Sequence, residues 1–383
     1  MPDIHTSAIP QEGNTCVLCI VDTTCKLTVP SNTLVEPAIP GHEFMNFPTF
    51  AFLISNKASG QQVLYDLGCK KEFWDLPGPT AEAINTRVPG IRVDKNLVEV
   101  LEEGGVEVSK LDAAIISHHH YDHIGDPSTF PASMELVVGP GFSKKFLPGY
   151  PTVEESPVFE DDLEGRNIRE LSFSDDLVVA GYRAIDYFED GSLYILDTPG
   201  HAIGHISAMV RTTQDTFAFL GGDVCHFGGS FRPTPFIPMP EWLEPCSVGH
   251  RGIKDEPYNH SIFTRCHPNQ EHARIAPYYT PCCRPDSWYV DPARARKSIR
   301  QLQALDAMDK VLVLIAHDPA VIDVVTFFPE GSANDWYKLG WKDALHWRFL
   351  NELPTDVQET RYLVDGTYMD GKRTKTLEGR RVD

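Results

Sequence analysis

The sequence predicts an α/β fold: an αββα sandwich of two mixed β-sheets flanked by helices, built as one domain over residues 1–383. Three observations carry that prediction. Two apolar runs at 47–54 and 62–68 read as a hairpin. A helical stretch and a further apolar run at 113–116 follow, the strand–helix–strand order of a parallel layer. From 177 to 220 the pattern changes to closely spaced apolar strands divided by short turns, which suits an antiparallel sheet. Lastly, Ala113-Ala114-Ile115-Ile116 runs into a loop crowded with His and Asp, at the carboxyl end of a strand where α/β layers carry their functional groups.

Taken in order, residues 1–14 carry little pattern, and 15–21 read as a strand followed by a polar, proline-containing stretch to Phe44. Cys16-Val17-Leu18-Cys19 lies in that strand. Alternation turns its two thiols to opposite faces, so they read as small core residues and not as a redox pair. In the hairpin, the turn occupies 56–60, and Pro48 sits near a strand start, where a missing donor is tolerated. Residues 94–103 have helical spacing, with Asp94 as the N-cap and Gly104-Gly105 as the stop. A strand at 135–139 and a short helix at 141–147 come next. The antiparallel run comprises 177–180, 182–188, 193–196, 207–211 and 217–220.

Residues 224–290 are irregular and rich in proline, aromatics, histidine and cysteine, which reads as a long lid-like insertion. Asp291-Pro292 then supplies an N-cap and first-turn pair for a helix to about 308, and 310–316 is a strand. Residues 336–353 read as a C-terminal amphipathic helix and the last thirty as a peripheral tail.

Composition narrows the partners. The formal net charge is −20, with acid and base mixed along the chain. Such a surface disfavours nucleic acid and anionic membranes and favours a small, neutral or weakly charged substrate. No apolar run approaches the roughly 20 residues of a membrane span, and residues 1–6 lack a basic and apolar leader. Nine cysteines without a regular framework suit a reducing compartment, so a cytoplasmic location is expected. Oligomeric state has no signature.

His118-His119-His120-Tyr121-Asp122-His123 offers four side chains able to bind a metal: His118, His120, Asp122 and His123. So short a segment cannot turn all four to one ion, which points to two ions sharing the loop. Further along, Thr198-Pro199-Gly200-His201, Gly221-Gly222-Asp223 and Ala316-His317 each follow an apolar run. Imidazoles and carboxylates suit zinc or a similar borderline ion, with iron and manganese as the other candidates.

The H-x-H-x-D-H pattern, the T-P-G-H turn, the G-D strand end and the terminal histidine, in that order over roughly residues 47–320, resemble the signature of the metallo-β-lactamase-fold hydrolases. The resemblance implies that His118, His120 and His201 bind one zinc, that Asp122, His123 and His317 bind the other, and that Asp223 bridges them. It implies a nucleophilic hydroxide shared by both ions, its pKa lowered towards roughly 7. Asp122 would then act twice, as ligand and as carrier of a proton from the water to the leaving group. It also places Asp66, which from its position alone reads equally as a strand-end aspartate capping the next turn, beside a metal-binding histidine, and His205 behind the site as support. His226, three residues after Asp223, reads either as reaching the substrate or as orienting the start of the irregular segment. His119 and Tyr121 read as packing outward, and Asp126 has no assigned role. His250, His260, His267 and His272 read as loop histidines without ligand spacing.

The function expected from this set is a zinc-dependent hydrolase of a small cyclic amide or ester. It would be similar to the lactonase branch and to fungal γ-lactamases that open benzoxazolinone-type rings, a xenobiotic-detoxifying chemistry. A thioesterase resembling the glyoxalase II or polyketide-releasing branches shares every ligand. An iron-dependent oxidoreductase on the same fold is the alternative from another class, and charge disfavours a nuclease.

Overall fold

The computed structural model describes residues 9–249, 256–355 and 362–382; the polar N-terminal residues 1–6 and His250 lie outside the described residues. Nine strands form the first sheet, in the order Lys372–Thr376, Gly366–Met369, Gly90–Val93, Cys16–Pro30, Phe44–Asn56, Gln62–Tyr65, Ala113–Ile115, Glu135–Val138 and Ile168–Glu170. Its centre is antiparallel, with Phe52 opposite Tyr65, and from Gln62 onward the neighbours are parallel. Six strands form the second sheet: Val311–Leu314, Phe217–Leu220, Ile206–Arg211, Leu193–Asp197, Tyr182–Asp186 and Val178–Val179. All its pairs are antiparallel except Phe217–Leu220 with Val311–Leu314.

The sheets stack through their apolar faces. Leu18, Ile20, Phe52 and Ile115 of the first meet Ile195, Ile206, Leu220 and Leu314 of the second in one buried cluster. Each such side chain withdrawn from water contributes about 1.5–3 kcal/mol. Tyr65 crosses the interface, its hydroxyl donating to the Ile206 carbonyl at 2.9 Å. Leu97 and Leu101 of the helix Leu97–Glu103 cover the outside of the first sheet. Ile299, Leu302 and Leu305 of the helix Pro292–Asp306 cover the outside of the second. The αββα sandwich of two mixed sheets stands as expected.

Four expectations change in detail. The strand expected at 15–21 runs on to Pro30. A bulge at Thr24, φ 62, breaks register between Asp22 and Lys26 and lets the polar stretch continue the ladder. The helix expected from Asp94 is capped instead by Asn96, which forms a capping box with Glu99. No continuous helix spans 336–353: Gly340, φ 68, separates the turn Ala333–Asp335 from the helix Trp341–His346, and the turn Arg348–Glu352 follows. The tail contributes the hairpin Gly366–Met369 and Lys372–Thr376, whose lysines and arginine suit the edge of a sheet.

Much of the segment 224–290 is packed down. Phe227, Met239, Leu243, Phe263, Tyr278 and Tyr279 are buried against Leu27, Val29 and Phe47 of the first sheet and Phe349 and Leu350 beyond it. Asp291 caps the next helix, accepting from the Arg294 backbone N–H, with Pro292 in its first turn. Cys16 and Cys19 lie on a strand in two different clusters, and every cysteine among the described residues is a free thiol. Among the described residues no helix is long and apolar enough to cross a membrane.

Candidate metal centre

Five strands deliver side chains to one edge of the sandwich. Gln62–Tyr65 and Ala113–Ile115 run parallel in the first sheet and end just before Asp66 and Ser117-His118. Leu193–Asp197, Phe217–Leu220 and Val311–Leu314 share a direction in the second and lead to His201, Asp223 and His317. The turn of helix Tyr121–Ile124 carries Asp122 and His123 back under the loop. Gly222 makes the approach to Asp223 possible. Its φ is 51, and a Cβ there would stand 2.9 Å from that of Ser117 and 3.1 Å from His205 Nε2.

Among the described residues two groups have metal-binding arrangement: His118, His120, His201 and Asp223, and beside them Asp122, His123 and His317. In the first, His201 Nε2 lies 3.1 Å from His118 Nε2 and 2.9 Å from His120 Nδ1. In the second, His123 Nε2 lies 3.3 Å from His317 Nε2, and Asp122 Oδ2 is 3.5 Å from His317 Nε2. Asp223 stands between them. Its Oδ2 is 3.4 Å from His201 Nε2, and its Oδ1 is 3.2 Å from both His123 Nε2 and His317 Nε2.

Hydrogen bonds behind the ring nitrogens decide which atoms face inward. His123 Nδ1 is 2.8 Å from Asp66 Oδ2, and His317 Nδ1 is 3.0 Å from the Pro48 carbonyl oxygen. Both oxygens only accept, so both Nδ1 atoms carry a proton, and in their neutral form the two rings turn bare Nε2 lone pairs to each other. Two lone pairs facing each other in a buried site repel, and a cation between them removes the conflict. A set of five imidazoles and two carboxylates fits a borderline divalent ion.

Burial and the neighbouring carboxylates act in opposite directions on the two groups. Burial, reinforced by neighbouring imidazoles, holds His118 well below the ordinary histidine range, and burial does the same for His120 and His201. Burial also works against a charged His123 or His317. There Asp223, with Asp66 and Asp122 at His123 and Asp122 at His317, outweighs it and raises both.

Asp66 accepts from the Ser117 backbone N–H at 2.7 Å and its hydroxyl at 2.8 Å as well as from His123, so it sits beside a metal-facing histidine as expected. Asp66 itself holds φ 63, a conformation aspartate tolerates. His205 Nε2 accepts from the Asp223 backbone N–H at 3.0 Å, with its Nδ1 2.8 Å from the Thr198 carbonyl oxygen. His226 Nε2 lies 3.1 Å from Asp223 Oδ2. His119 joins neither group: its ring stacks on Phe146 at 4.3 Å and meets His120 at 4.8 Å. Tyr121 departs from expectation: it is buried and lines the pocket over the centre, because the helical turn from His120 folds it back under the loop. Asp126 caps the turn Pro127–Thr129 and pairs with Lys70 at 3.3 Å. His260, His267 and His272 join neither group.

Three contributors carry no motif and were not legible: Ser117, whose hydroxyl also lies 3.0 Å from His118 Nδ1; Phe47, stacked on His317 at 4.5 Å; and the pair Trp288-Tyr289. Trp288 sets its edge against His120 at 5.4 Å and carries the Arg87 guanidinium on its face at 3.7 Å. Only their nearness to the Asp291-Pro292 cap hinted at a fixed place for the last pair. The pocket above the centre encloses about 340 Å³ including its open mouth. Leu27, Val29, Leu34, Phe47, Val88, Tyr121 and Trp288 wall it, and His120, Asp122, His201, Asp223, His226 and His317 floor it.

The family model for the metallo-beta-lactamase superfamily matches residues 46–221. Gamma-lactamase FDB1 of Fusarium pseudograminearum (strain CS3096) is 35% identical over 360 residues, covering 91% of this chain and 86% of that protein. The chain belongs to the metallo-beta-lactamase superfamily. Metallo-hydrolase mfmC of Annulohypoxylon moriforme is 34% identical over 352 residues, covering 90% of this chain and 89% of that protein. The superfamily fold recurs in the crystal structure of a B. thuringiensis AiiA mutant with N-decanoyl-L-homoserine at its active site. The TM-score is 0.51 and the identity 17%, over 83% of this chain and 99% of that one. As a superfamily member the chain is a metal-dependent hydrolase, with its His and Asp groups as metal-binding groups.

Proposed function

We propose that this chain opens a small, neutral or weakly charged cyclic amide or ester, a γ-lactam or lactone, with two zinc ions held by the seven His and Asp side chains. The observation that carries the reading is the pocket: among the described residues, an apolar and aromatic wall without lysine or arginine, closing on a floor of imidazoles and carboxylates. A compact ring fits such a space, whereas a phosphate-bearing substrate finds no cation along its wall. The likeness to a protein named gamma-lactamase along nearly the whole chain supports the same reading.

His118, His120 and His201 would hold one ion, Asp122, His123 and His317 the other, with Asp223 shared. Ions bound there supply Lewis acidity toward the ring carbonyl and acidify water towards a pKa of about 7. The protein's own part is orientation and proton handling. Asp66 and the Pro48 carbonyl keep the protons of His123 and His317 on Nδ1, leaving both Nε2 atoms free. Asp122 lines the pocket floor, and in this reading it would take a proton from the attacking water and give it to the departing ring nitrogen or oxygen. Leu27, Val29, Val88 and Trp288 exclude water around the ring and hold its face.

The test is elemental analysis of protein purified without added metal, with lactam, lactone and thioester probes followed by chromatography of the products. Two zincs per chain with ring-opened product is the expected outcome. Thioester cleavage alone would move the reading to a thioesterase, and iron with redox activity and no hydrolysis would overturn it.

A further inference from the structure

We propose that Tyr289 is a positioning residue of the metal centre, its hydroxyl acting through His226 to fix the Asp223 carboxylate between the two ligand groups. The proposal rests on the reading of Asp223 as the shared ligand.

The protons settle the direction of the chain of bonds. His226 Nε2 is 3.1 Å from Asp223 Oδ2, and His226 Nδ1 is 2.9 Å from the Tyr289 hydroxyl oxygen. A carboxylate can only accept, so the single N–H of a neutral imidazole belongs on Nε2. Nδ1 is then an acceptor, and the Tyr289 O–H donates to it. Without that donor nothing at Nδ1 selects this tautomer, and with the proton on Nδ1 the ring would turn a lone pair toward Asp223.

The surroundings leave the imidazole little other freedom. Phe47 lies nearly parallel to it at 5.8 Å, with an interplanar angle of 9°, and Tyr289 meets it edge-on at 5.1 Å and 88°. Phe47 thus holds the plane of the ring and Tyr289 its tautomer. All three side chains are buried.

Tyr289 is itself fixed with respect to the centre. The backbone N–H groups of Val290 and Asp291 donate to the carbonyls of His201 and Gly200, each at 2.9 Å, tying this stretch to the turn that carries a ligand. The Tyr289 N–H donates to Ser287 Oγ at 3.0 Å, and its ring stands edge-on to His201 at 5.2 Å. The far end of the irregular segment therefore reaches the shared carboxylate through one hydroxyl and one imidazole.

The experiment compares Tyr289→Phe, His226→Gln and the double variant. Zinc affinity is read by competition with a chromophoric chelator, without substrate, and kcat and KM are read separately. Melting of each metal-free form reports folding. Tyr289→Phe keeps the ring contacts and removes only the donor, so melting should stay close to that of the parent while zinc affinity falls about 10–100-fold. In the His226→Gln background the same change should cost nothing further, since the bond it breaks is already gone. Zinc affinity within twofold of the parent in Tyr289→Phe would overturn the proposal, as would losses that add in the double variant. A rise in KM alone would overturn it too, by making Tyr289 a substrate contact. If Tyr289→Phe melts far below the parent, the His226→Gln affinity decides, and an unchanged value sinks the relay. Affinity is measured without turnover, so failure of the ring-opening assay and failure of the relay are separate results.

Discussion

Around Arg232 and around Asp223 the chain buries two clusters of ionisable groups, and their hydrogen bonds are matched differently. Arg232 Nε donates to Asp306 Oδ2 at 2.8 Å, Nη2 donates to the other carboxylate oxygen, and Nη1 reaches the His346 carbonyl at 3.3 Å. Lys342 Nζ donates to the carbonyls of Asp306, Met308 and Val311 at 2.7, 3.0 and 2.7 Å. Donor meets acceptor throughout, and Arg232 overcomes the effect of burial to hold Asp306 well below the usual carboxylate range. At the Asp223 cluster, the Nε2 atoms of His123 and His317, whose Nδ1 protons are taken up behind them, converge without a donor between them. A buried polar cluster completed by protein atoms locks structure, and one left with converging lone pairs is built for a cation.

The largest effect should come from the atom both ligand groups share. Asp223→Ala removes the one carboxylate that faces both groups among the described residues, and two cations would then stand unshielded between imidazoles. Loss of both ions is expected, with turnover falling further than the roughly 10–100-fold that outer contacts are worth. Far-ultraviolet circular dichroism should stay near the parent's. Two retained metals and near-normal turnover would mean that the shared position is misassigned.

The same experiment at the other cluster should act on stability instead. Arg232→Ala leaves Asp306 buried without its partner, at a cost of about 3–5 kcal/mol. Its pH dependence has a definite sign. A depressed carboxylate contributes stability that is present above its unfolded pKa near 3.9 and is lost as pH falls through its lower folded value. In Arg232→Ala the burial remains without the cation, so Asp306 takes up its proton more readily and the penalty shrinks as pH drops from 7 towards 4. Urea midpoints at several pH values, with metal analysis of each sample, would show this. Unchanged stability, or zinc loss without destabilisation, would merge the two clusters into one functional network.

How far each cluster was legible follows from how its members lie along the chain. His118, His120, Asp122 and His123 stand within six residues, and the resemblance to the family's motifs picked out His201, Asp223 and His317 after apolar runs, so the members of the two groups could be named without knowledge of packing. Asp66 was reached through the same resemblance, at the end of its strand. The Arg232–Asp306 pair spans 74 positions and carries no local pattern. Tyr289 reaches His226 across 63 positions from a segment without periodicity. In the fold, the alternating and parallel strands could be read because burial on one or both faces sets their composition. The edge strand Lys372–Thr376 faces water and reads as tail, and Gly340 breaks a stretch whose tryptophans suggested a single helix.

A smaller change sharpens the comparison inside the metal centre. Asp66→Asn keeps a side chain of the same shape but sets an amide where His123 Nδ1–H finds an acceptor. The imidazole is then pushed to carry its proton on Nε2, the atom that faces the second group. Zinc affinity should fall about 10–100-fold at one of two sites while the other holds its ion. Stepwise titration of metal-free protein with zinc would show one weakened step; two weakened steps would mean that Asp66 supports the whole loop.

The smallest effect is expected at the pocket wall, whose described residues carry no charge. Trp288→Ala removes an indole that walls the pocket, and an aromatic contact with a bound ring is worth about 0.5–1.5 kcal/mol beyond burial. KM for a cyclic substrate should rise by that amount, between about two- and tenfold, with kcat and zinc content unchanged. Arg87→Ala takes the guanidinium off the outer face of the same indole without changing the lining, so its effect should be smaller still. If Trp288→Ala instead lost zinc, the indole would belong with Tyr289 among the groups that position ligands, and the division between a wall that selects the substrate and a floor that holds the ions would fail at His120.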